Sequence, residues 1–540
     1  RGSHLADWRE RRVVPVAKNL LAGAAYLTRV AALRAQGLEI PAELERFAPR
    51  DEAAIEAMCT ARPAAAVASE ETPKSEAPAP KSGAIAIVGM AALFPKAQDL
   101  TTFWRNLRKG VDAVGPIPAT HWSLADYHDP DPKAPDRTYA TRGAFLDPVD
   151  FDPTEFGIPP SILEATDTSQ LLGLVVAKRA LEDAGLTEER EWDRSRASVI
   201  LGVTGTQELV ISLGARLGHP HWRRALEEAG VPSDQADEVV ERIGRAYVGW
   251  QENSFPGLLG NVVAGRIANR FDLGGTNGVL DAACASSMGA VHMACMELQT
   301  GRADVVLTGG VDTLNDIFMH MCFSKTPALS PTGDARPFSA QADGTVLGEG
   351  LGMLVLKRLE DAEAAGDRIY AVIRGIGTSS DGRARSIYAP LPHGQARALR
   401  NAYETAGVSP TTIELVEAHG TGTKAGDASE FEALRMVYEE AGAARGATAL
   451  GSVKSNIGHT KAAAGAAGLI KAALALAHKV VPPTIKVEAP NPALSIETSP
   501  FHLPTEARPW LRGAHPRRAA VSAFGFGGSN FHAVLEEDRA

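Results

Sequence analysis

From residue 84 onward, short apolar runs alternate with alanine-rich segments, and this alternation limits the chain to an α/β architecture in which helices cover sheets. Ala84-Ile-Ala-Ile-Val-Gly89, Ser198-Val-Ile-Leu-Gly-Val203, Ala303-Asp-Val-Val-Leu-Thr308, Met353-Leu-Val-Leu356 and Ile413-Glu-Leu-Val416 read as strands. The stretch from Lys461 to His478 is almost wholly Ala, Leu, Gly and Ile. It has too few polar residues for a solvent face, so it predicts a buried helix. A Gly/Asp-rich stretch, Asp334 to Gly344, divides the pattern into two halves, 84–340 and 341–540, without a sharp sequence repeat between them.

The segment before residue 84 reads differently. Arg1-Gly2-Ser3-His4 has the look of an expression-vector remnant (residues 1–4) and carries no fold information. Residues 5–60 read as a helical extension, with Val14, Ala17, Leu20, Leu21, Ala24 and Ala25 recurring at helical spacing. It reads equally as a docking element or as the end of a preceding region. Residues 61–83 are rich in Ala, Pro and Glu and predict an extended linker.

Composition excludes several classes. A formal net charge of −10 leaves no basic footprint for nucleic acid. No run of about 18 apolar residues is present to span a bilayer. The apolar stretch Val13 to Leu33 is broken by Lys18, Asn19 and Arg29, and no cleavage pattern follows it. Four cysteines in 540 residues, none closely paired, argue against a disulfide scaffold or a thiolate metal site and fit a cytoplasmic protein. No phosphate loop or dinucleotide fingerprint is present, so no bound cofactor or metal is implied.

Four motifs carry the chemistry. Gly278-Val-Leu-Asp-Ala-Ala-Cys-Ala-Ser-Ser-Met-Gly289 is a strand that ends at Cys284, followed by helical sequence from Ser286 to Leu298. A cysteine at a helix start meets unsatisfied N–H groups that favour its thiolate, and the small neighbours leave room for a substrate. A free cysteine is more often simply buried, which is the reading kept for Cys295 and Cys322.

Glu417-Ala-His-Gly-Thr-Gly-Thr423 puts His419 at a strand's carboxyl end, with Thr421 and Thr423 offering hydroxyls to a substrate's amide arm. Lys454-Ser-Asn-Ile-Gly-His459 places a second histidine just before the buried helix, where the neutral imidazole is favoured. Neutral imidazoles that donate from Nε2 suit a developing enolate or thioester oxyanion. Either histidine alone reads equally as a loop residue; beside a helix-start cysteine the chemical reading gains weight. Phe524-Gly-Phe-Gly-Gly-Ser-Asn530 reads either as a tight connection between strands or as a source of an oxyanion-binding N–H at Phe526, paired with that of Cys284.

These motifs, in this order over about residues 84–537, resemble the β-ketoacyl synthases of the thiolase superfamily. The resemblance implies a five-layered αβαβα sandwich of two similar halves, usually a homodimer. It implies Cys284 as the acyl-accepting nucleophile, with His419 and His459 supporting malonyl decarboxylation and the enolate. Lys454 and Glu349 (in Gly348-Glu-Gly350) match supporting charged positions, and Phe526 matches a gating aromatic. The substrates implied are acyl and malonyl groups on the phosphopantetheine arm of an acyl carrier protein, with an acyltransferase domain adjacent in a parent megaenzyme.

Cys322-Phe-Ser-Lys-Thr-Pro-Ala328, Gly377 to Arg383 with Ser386-Ile-Tyr-Ala-Pro390, and Lys424-Ala-Gly-Asp427 resemble the ketosynthases of bacterial polyunsaturated-fatty-acid synthases. Modular polyketide synthases more often carry Leu-Gly-Asp-Pro after the histidine motif. A polyketide ketosynthase outside the polyunsaturated group stays open. So does a non-elongating or chain-length partner that binds acyl chains, although such partners usually lose the cysteine or a histidine. A thiolase needs a second catalytic cysteine in the C-terminal half, and none follows Cys322. A chalcone-synthase-type enzyme uses Cys-His-Asn, which His459 argues against.

Overall fold

The computed structural model describes residues 83–204, 208–383 and 386–538. The predicted extension and linker lie outside them, apart from Gly83. Eleven strands form one sheet: β1 (Ile85–Leu93), β2 (Ala197–Val203), β3 (Asn277–Leu280), β4 (Val305–Asp312), β5 (Gly350–Arg358), β6 (Ala371–Ser380), β7 (Leu415–Glu417), β8 (Thr448–Gly451), β9 (Phe501–His502), β10 (Arg518–Gly525) and β11 (Ser529–Glu536). Their spatial order is β9-β8-β7-β10-β11-β6-β1-β5-β4-β2-β3.

That order contains a repeat. In the first half β3-β2-β4-β5-β1 runs from the edge inward, with β3, β2 and β4 parallel and β5 antiparallel to β4 and β1. In the second half β8-β7-β10-β11-β6 repeats the same order and the same directions. The halves join where β1 and β6 pair antiparallel, Ile85 opposite Ile373 and Ile87 opposite Ala371. By this strand count β5 belongs to the first half. The divide therefore falls after Arg358, and the Gly/Asp-rich stretch ending at Gly344 is a connection inside the first half, not the boundary at 340/341.

Side-chain alternation along the strands builds the layers. On β10, Ala519 and Val521 face one core while Ala520 faces another; on β5, Leu354 and Leu356 part in the same way from Met353 and Val355. Helices α1 (Thr168–Asp183) and α2 (Asn261–Phe271) cover the outer face of the first half. Helices α4 (Pro392–Ala406) and α5 (Lys424–Glu440) cover that of the second. Between the halves lie α3 (Ser286–Gln299) and α6 (Ala464–His478), sharing one core with strands of both. The result is the expected five-layered αβαβα sandwich of two similar halves.

The predicted buried helix is α6, buried at every position from Ala464 to Leu476. Its small residues let sheet and helix approach closely, and its large ones, such as Leu469 and Leu474, each contribute about 1.5–3 kcal/mol through burial. No helix among the described residues is long and apolar enough to cross a membrane.

Candidate active site

Cys284 lies in the turn Ala283–Ala285 between β3 and α3. Ala283 has φ +51°, a left-handed conformation that costs an alanine about 1–2 kcal/mol. Local hydrogen bonds offset that cost. The Ala283 N–H donates to Asp281 Oδ1 at 2.8 Å, the Ala282 N–H to Ser286 Oγ at 2.9 Å, and the Ser286 hydroxyl to the Ala283 carbonyl at 2.6 Å. A helix start favours the thiolate, but in the structure desolvation outweighs that effect. Burial pushes the Cys284 thiol up to about 11, while the charges of Lys454 and Lys461 pull it down and Asp312 pushes it up. The resting group is a thiol.

His419 follows β7, and its loop is pinned by a carboxylate from α5. The backbone N–H groups of His419 and Gly420 each donate to Glu430, both at 2.7 Å. Gly420 and Gly422 have φ +38° and +78°, values that suit glycine. The His419 Nδ1 accepts the Phe524 N–H at 3.3 Å, and the His459 Nδ1 accepts the Lys461 N–H at 3.2 Å. Each imidazole is thereby assigned the tautomer with its proton on Nε2. The two ring centroids are 5.4 Å apart and nearly perpendicular. Burial first, and then the charge of Lys454, hold both far below the usual histidine range, so both are neutral.

Lys454 is buried, and its Nζ donates to the His419 carbonyl at 2.5 Å. Burial lowers its pKa, whereas Glu417, Glu430, Cys284 and Asp427 raise it. Thr421 and Thr423 place their hydroxyl oxygens 2.9 Å apart, and Thr423 caps α5 by accepting the Gly426 N–H. Phe526 is half exposed, with its ring 6.2 Å from that of Phe323. A Cβ on the preceding Gly525 would lie 2.1 Å from the Ala282 carbonyl oxygen, so only glycine lets this loop approach the cysteine turn.

Cys284, His419, His459, Thr421, Thr423 and Phe526 line one cavity of about 270 Å³. The exposed Ile387 and Tyr388 line it as well, as do Phe323 and Pro327, so the segments singled out in the sequence as subfamily marks form part of its wall. Glu349 is not brought there. Its carboxylate bonds His121 Nε2 at 2.9 Å and the Leu146 N–H at 2.8 Å; it reaches His459 only through the backbone, where Gly348 N–H donates to the His459 carbonyl at 3.0 Å.

Sequence reading missed Glu430, Asp427, Glu417 and Lys471. Asp427 accepts the N–H groups of Phe338 and Gly422, and burial pushes both Asp427 and Glu430 up to about 7. Glu417 pairs with Lys471 of α6 at 2.6 Å, both fully buried, and accepts the Val453 N–H at 2.5 Å. A signal for the first two was present. Asp427 and Glu430 recur in phase with Phe431, Leu434 and Val437, so acids fall on the apolar stripe of a helix.

The β-ketoacyl synthase N-terminal domain model matches residues 82–362, and the C-terminal domain model matches 370–488. One chain of the polyunsaturated fatty acid synthase from Thraustochytrium sp. is 43% identical over 460 residues, covering 84% of this chain and 16% of that protein. Polyketide synthase PksN from Bacillus subtilis is 37% identical over 84% of this chain and 8% of its own length. The chain thus spans under a fifth of either relative. Among solved structures, the ketosynthase from module 6 of the bacillaene synthase of Bacillus subtilis is similar, with a TM-score of 0.72, 36% identity, and coverage of 85% of this chain and 72% of that one. An oxazolomycin ketosynthase domain from Streptomyces albus gives 0.73 and 34%, covering 84% and 74%. With both halves matched and the fold shared, this chain belongs to the β-ketoacyl synthase family.

Proposed function

We propose that this chain lengthens acyl groups by decarboxylative Claisen condensation, with Cys284 as nucleophile and the His419–His459 pair as the enolate-stabilising donors. The observation that carries this reading is that two neutral imidazoles, each with its proton on Nε2, line the same cavity as one buried thiol.

An acyl group arrives as a thioester on the phosphopantetheine arm of a carrier protein. The Cys284 sulfur attacks its carbonyl carbon, the N–H groups of Cys284 and Phe526 hold the oxyanion, and the carrier sulfur leaves with the proton that Cys284 gives up. Loss of one such oxyanion donor typically costs ~10²–10³ in rate. A malonyl-carrier then enters. His419 and His459 donate to its thioester oxygen, the bond to the carboxylate breaks, and CO₂ departs while its electron pair forms the enolate. The enolate carbon attacks the acyl-Cys284 carbonyl; collapse releases a β-ketoacyl-carrier two carbons longer, and Cys284 takes up one proton. Lys454 supplies fixed positive charge beside both imidazoles. Thr421 and Thr423 are the polar groups on the cavity wall suited to the pantetheine amides. Glu349 is a structural support.

The polyunsaturated-fatty-acid assignment draws on the 43% identity to the Thraustochytrium protein and on the cavity-wall segments noted above. A carrier protein and an adjacent acyltransferase domain are the partners this reading requires. A homodimer is favoured by the edge strand β3 and by Met293 and Met296, which are exposed on the helix beside it.

Intact-protein mass spectrometry after incubation with a panel of acyl-pantetheine thioesters tests the reading, with Cys284→Ala as blank. Straight-chain saturated and unsaturated adducts over a wide length range are expected on Cys284. Adducts only with branched or β-oxygenated groups would assign it to polyketide synthesis instead, and no adduct at all would overturn the condensing role.

A further inference from the structure

The condensing reading leaves one buried ion pair beside the site without a task. Lys461 Nζ lies 3.0 Å from Asp312 Oδ1, and both side chains are almost fully buried. Neither lines the cavity. Asp312 ends β4 in the first half, whereas Lys461 opens the turn before α6 in the second, so the pair joins the halves just behind His459. Buried pairs of this kind contribute little net stability, because desolvating both charges cancels most of their attraction. Some other role fits them better.

The backbone of Lys461 is unusual. Its φ is +46°, a left-handed value on a residue that is not glycine. In that conformation its N–H donates to His459 Nδ1 at 3.2 Å, the bond that leaves the His459 proton on Nε2. Three contacts restrain the turn. Asp312 Oδ1 meets the Lys461 ammonium, Asp312 Oδ2 accepts the Ala462 N–H at 3.1 Å, and the Lys461 ammonium also donates to the Gly348 carbonyl at 3.0 Å. Gly348 in turn donates its N–H to the His459 carbonyl at 3.0 Å, and His459 donates its own to Val346 at 2.7 Å. Asp312 thus grips both the side chain and the backbone of the strained turn.

We propose that the Asp312–Lys461 pair is a positioning device for His459: it holds Lys461 in its left-handed conformation, so that the Lys461 N–H fixes His459 with its proton on Nε2. This deepens the condensing reading and rests on it for its chemical meaning. The charged and titratable groups around His459 are His419 and Lys454 on neighbouring loops, Cys284 across the cavity, Lys461 on its own turn, and Asp312 on β4, with Glu349 beyond Asp312. Removing the Lys461 side chain frees the backbone of the turn and takes away one of the positive charges that disfavour protonation of His459.

The test uses the whole chain, labelled with ¹⁵N-histidine, and reads the His459 ring by NMR, the signal being identified by its loss in His459→Gln. Malonyl-carrier decarboxylation and acyl loading of Cys284 are measured on the same samples. In the wild type, His459 is expected in the Nε2–H form across neutral pH. Lys461→Met should move it to a mixed or protonated form and cut decarboxylation by ~10²-fold, more than it slows loading. The loss should be steepest at acid pH, and Lys461→Arg should restore both the ring signal and the rate. Asp312→Asn/Lys461→Met, which buries no unpaired charge, guards against a folding failure; it too should lose the fixed tautomer. A wild-type tautomer and rate in both variants would overturn the proposal. If wild-type protein decarboxylates nothing, the condensing reading fails, while the ring signal still decides whether the pair positions His459.

Discussion

At Gly525 a single missing Cβ decides whether the phenylalanine loop can reach the cysteine turn, since a methyl there would meet the Ala282 carbonyl oxygen at 2.1 Å. Gly525→Ala is therefore expected to slow acyl loading of Cys284 by ~10²-fold, the scale of an ångström of misplacement. Loading followed by intact mass checks this, and an unchanged rate would remove Phe526 from the oxyanion site.

A second residue, His532, titrates far from its ordinary range. It is buried on β11, with its ring nitrogens bonded to the Tyr403 hydroxyl and the Ser522 hydroxyl, both at 2.9 Å, and burial lowers its pKa to about 3. The unfolded chain gains this proton near 6.5, while the folded chain gains it only near 3. The unfolded state thus binds more protons between those values. Stability from His532 is fully present above 6.5 and is lost as pH falls through the window, at about 1.4 kcal/mol per pH unit. Between pH 7 and pH 5.5 this amounts to about 1.3 kcal/mol in all, so in urea unfolding His532→Gln should lose about 1.3 kcal/mol less than the wild type over that interval; equal losses would place the ring in water.

Helix α6 shows how one element serves packing and chemistry together. It is buried all round, yet carries Lys471, whose ammonium meets Glu417 immediately before the His419 loop. Lys471→Met leaves that carboxylate buried and unpaired and should destabilise the fold by ~3–5 kcal/mol. Lys471→Met/Glu417→Gln should recover most of it, as denaturant midpoints would reveal; equal losses in both would mean the packing of the lysine stem matters and the charge does not. The helix itself is legible in its composition. Its internal lysine is not, because a one-dimensional pattern does not say that a glutamate from a strand lies opposite.

For the whole molecule, the sheet ends on one side at β3, a strand of four residues followed at once by the nucleophile turn. A second copy added edge to edge would extend the sheet and cover Met293 and Met296. Light scattering is expected to give twice the chain mass, and Met296→Glu, which opposes like charges across a two-fold axis, should return it to one. A wild-type mass of one chain would refute the edge-to-edge dimer.

The duplication of the fold is hidden from the sequence for a related reason. The halves repeat strand order and direction, which depend only on where apolar runs fall and how they connect, and no sharp sequence repeat accompanies them along the chain. The Gly/Asp-rich stretch marks the divide too early because Gly and Asp occur at any exposed connection, inside a half as well as between halves.

The sequence alone determined the α/β class, most of the longer strands, the buried helix, a cysteine in a strand-to-helix turn of small residues, and two histidines in glycine-containing loops. These follow from local periodicity and backbone permission, both of which act over a few residues. The thiol form of Cys284, the cavity that gathers the motifs, the exclusion of Glu349 from it, and the carboxylates that pin the loops were decided only by the tertiary structure. Desolvation and charge pairing depend on what surrounds a group in space, and here the partners come from segments tens to hundreds of residues apart: Glu417 with Lys471, Lys461 with Asp312, His121 with Glu349.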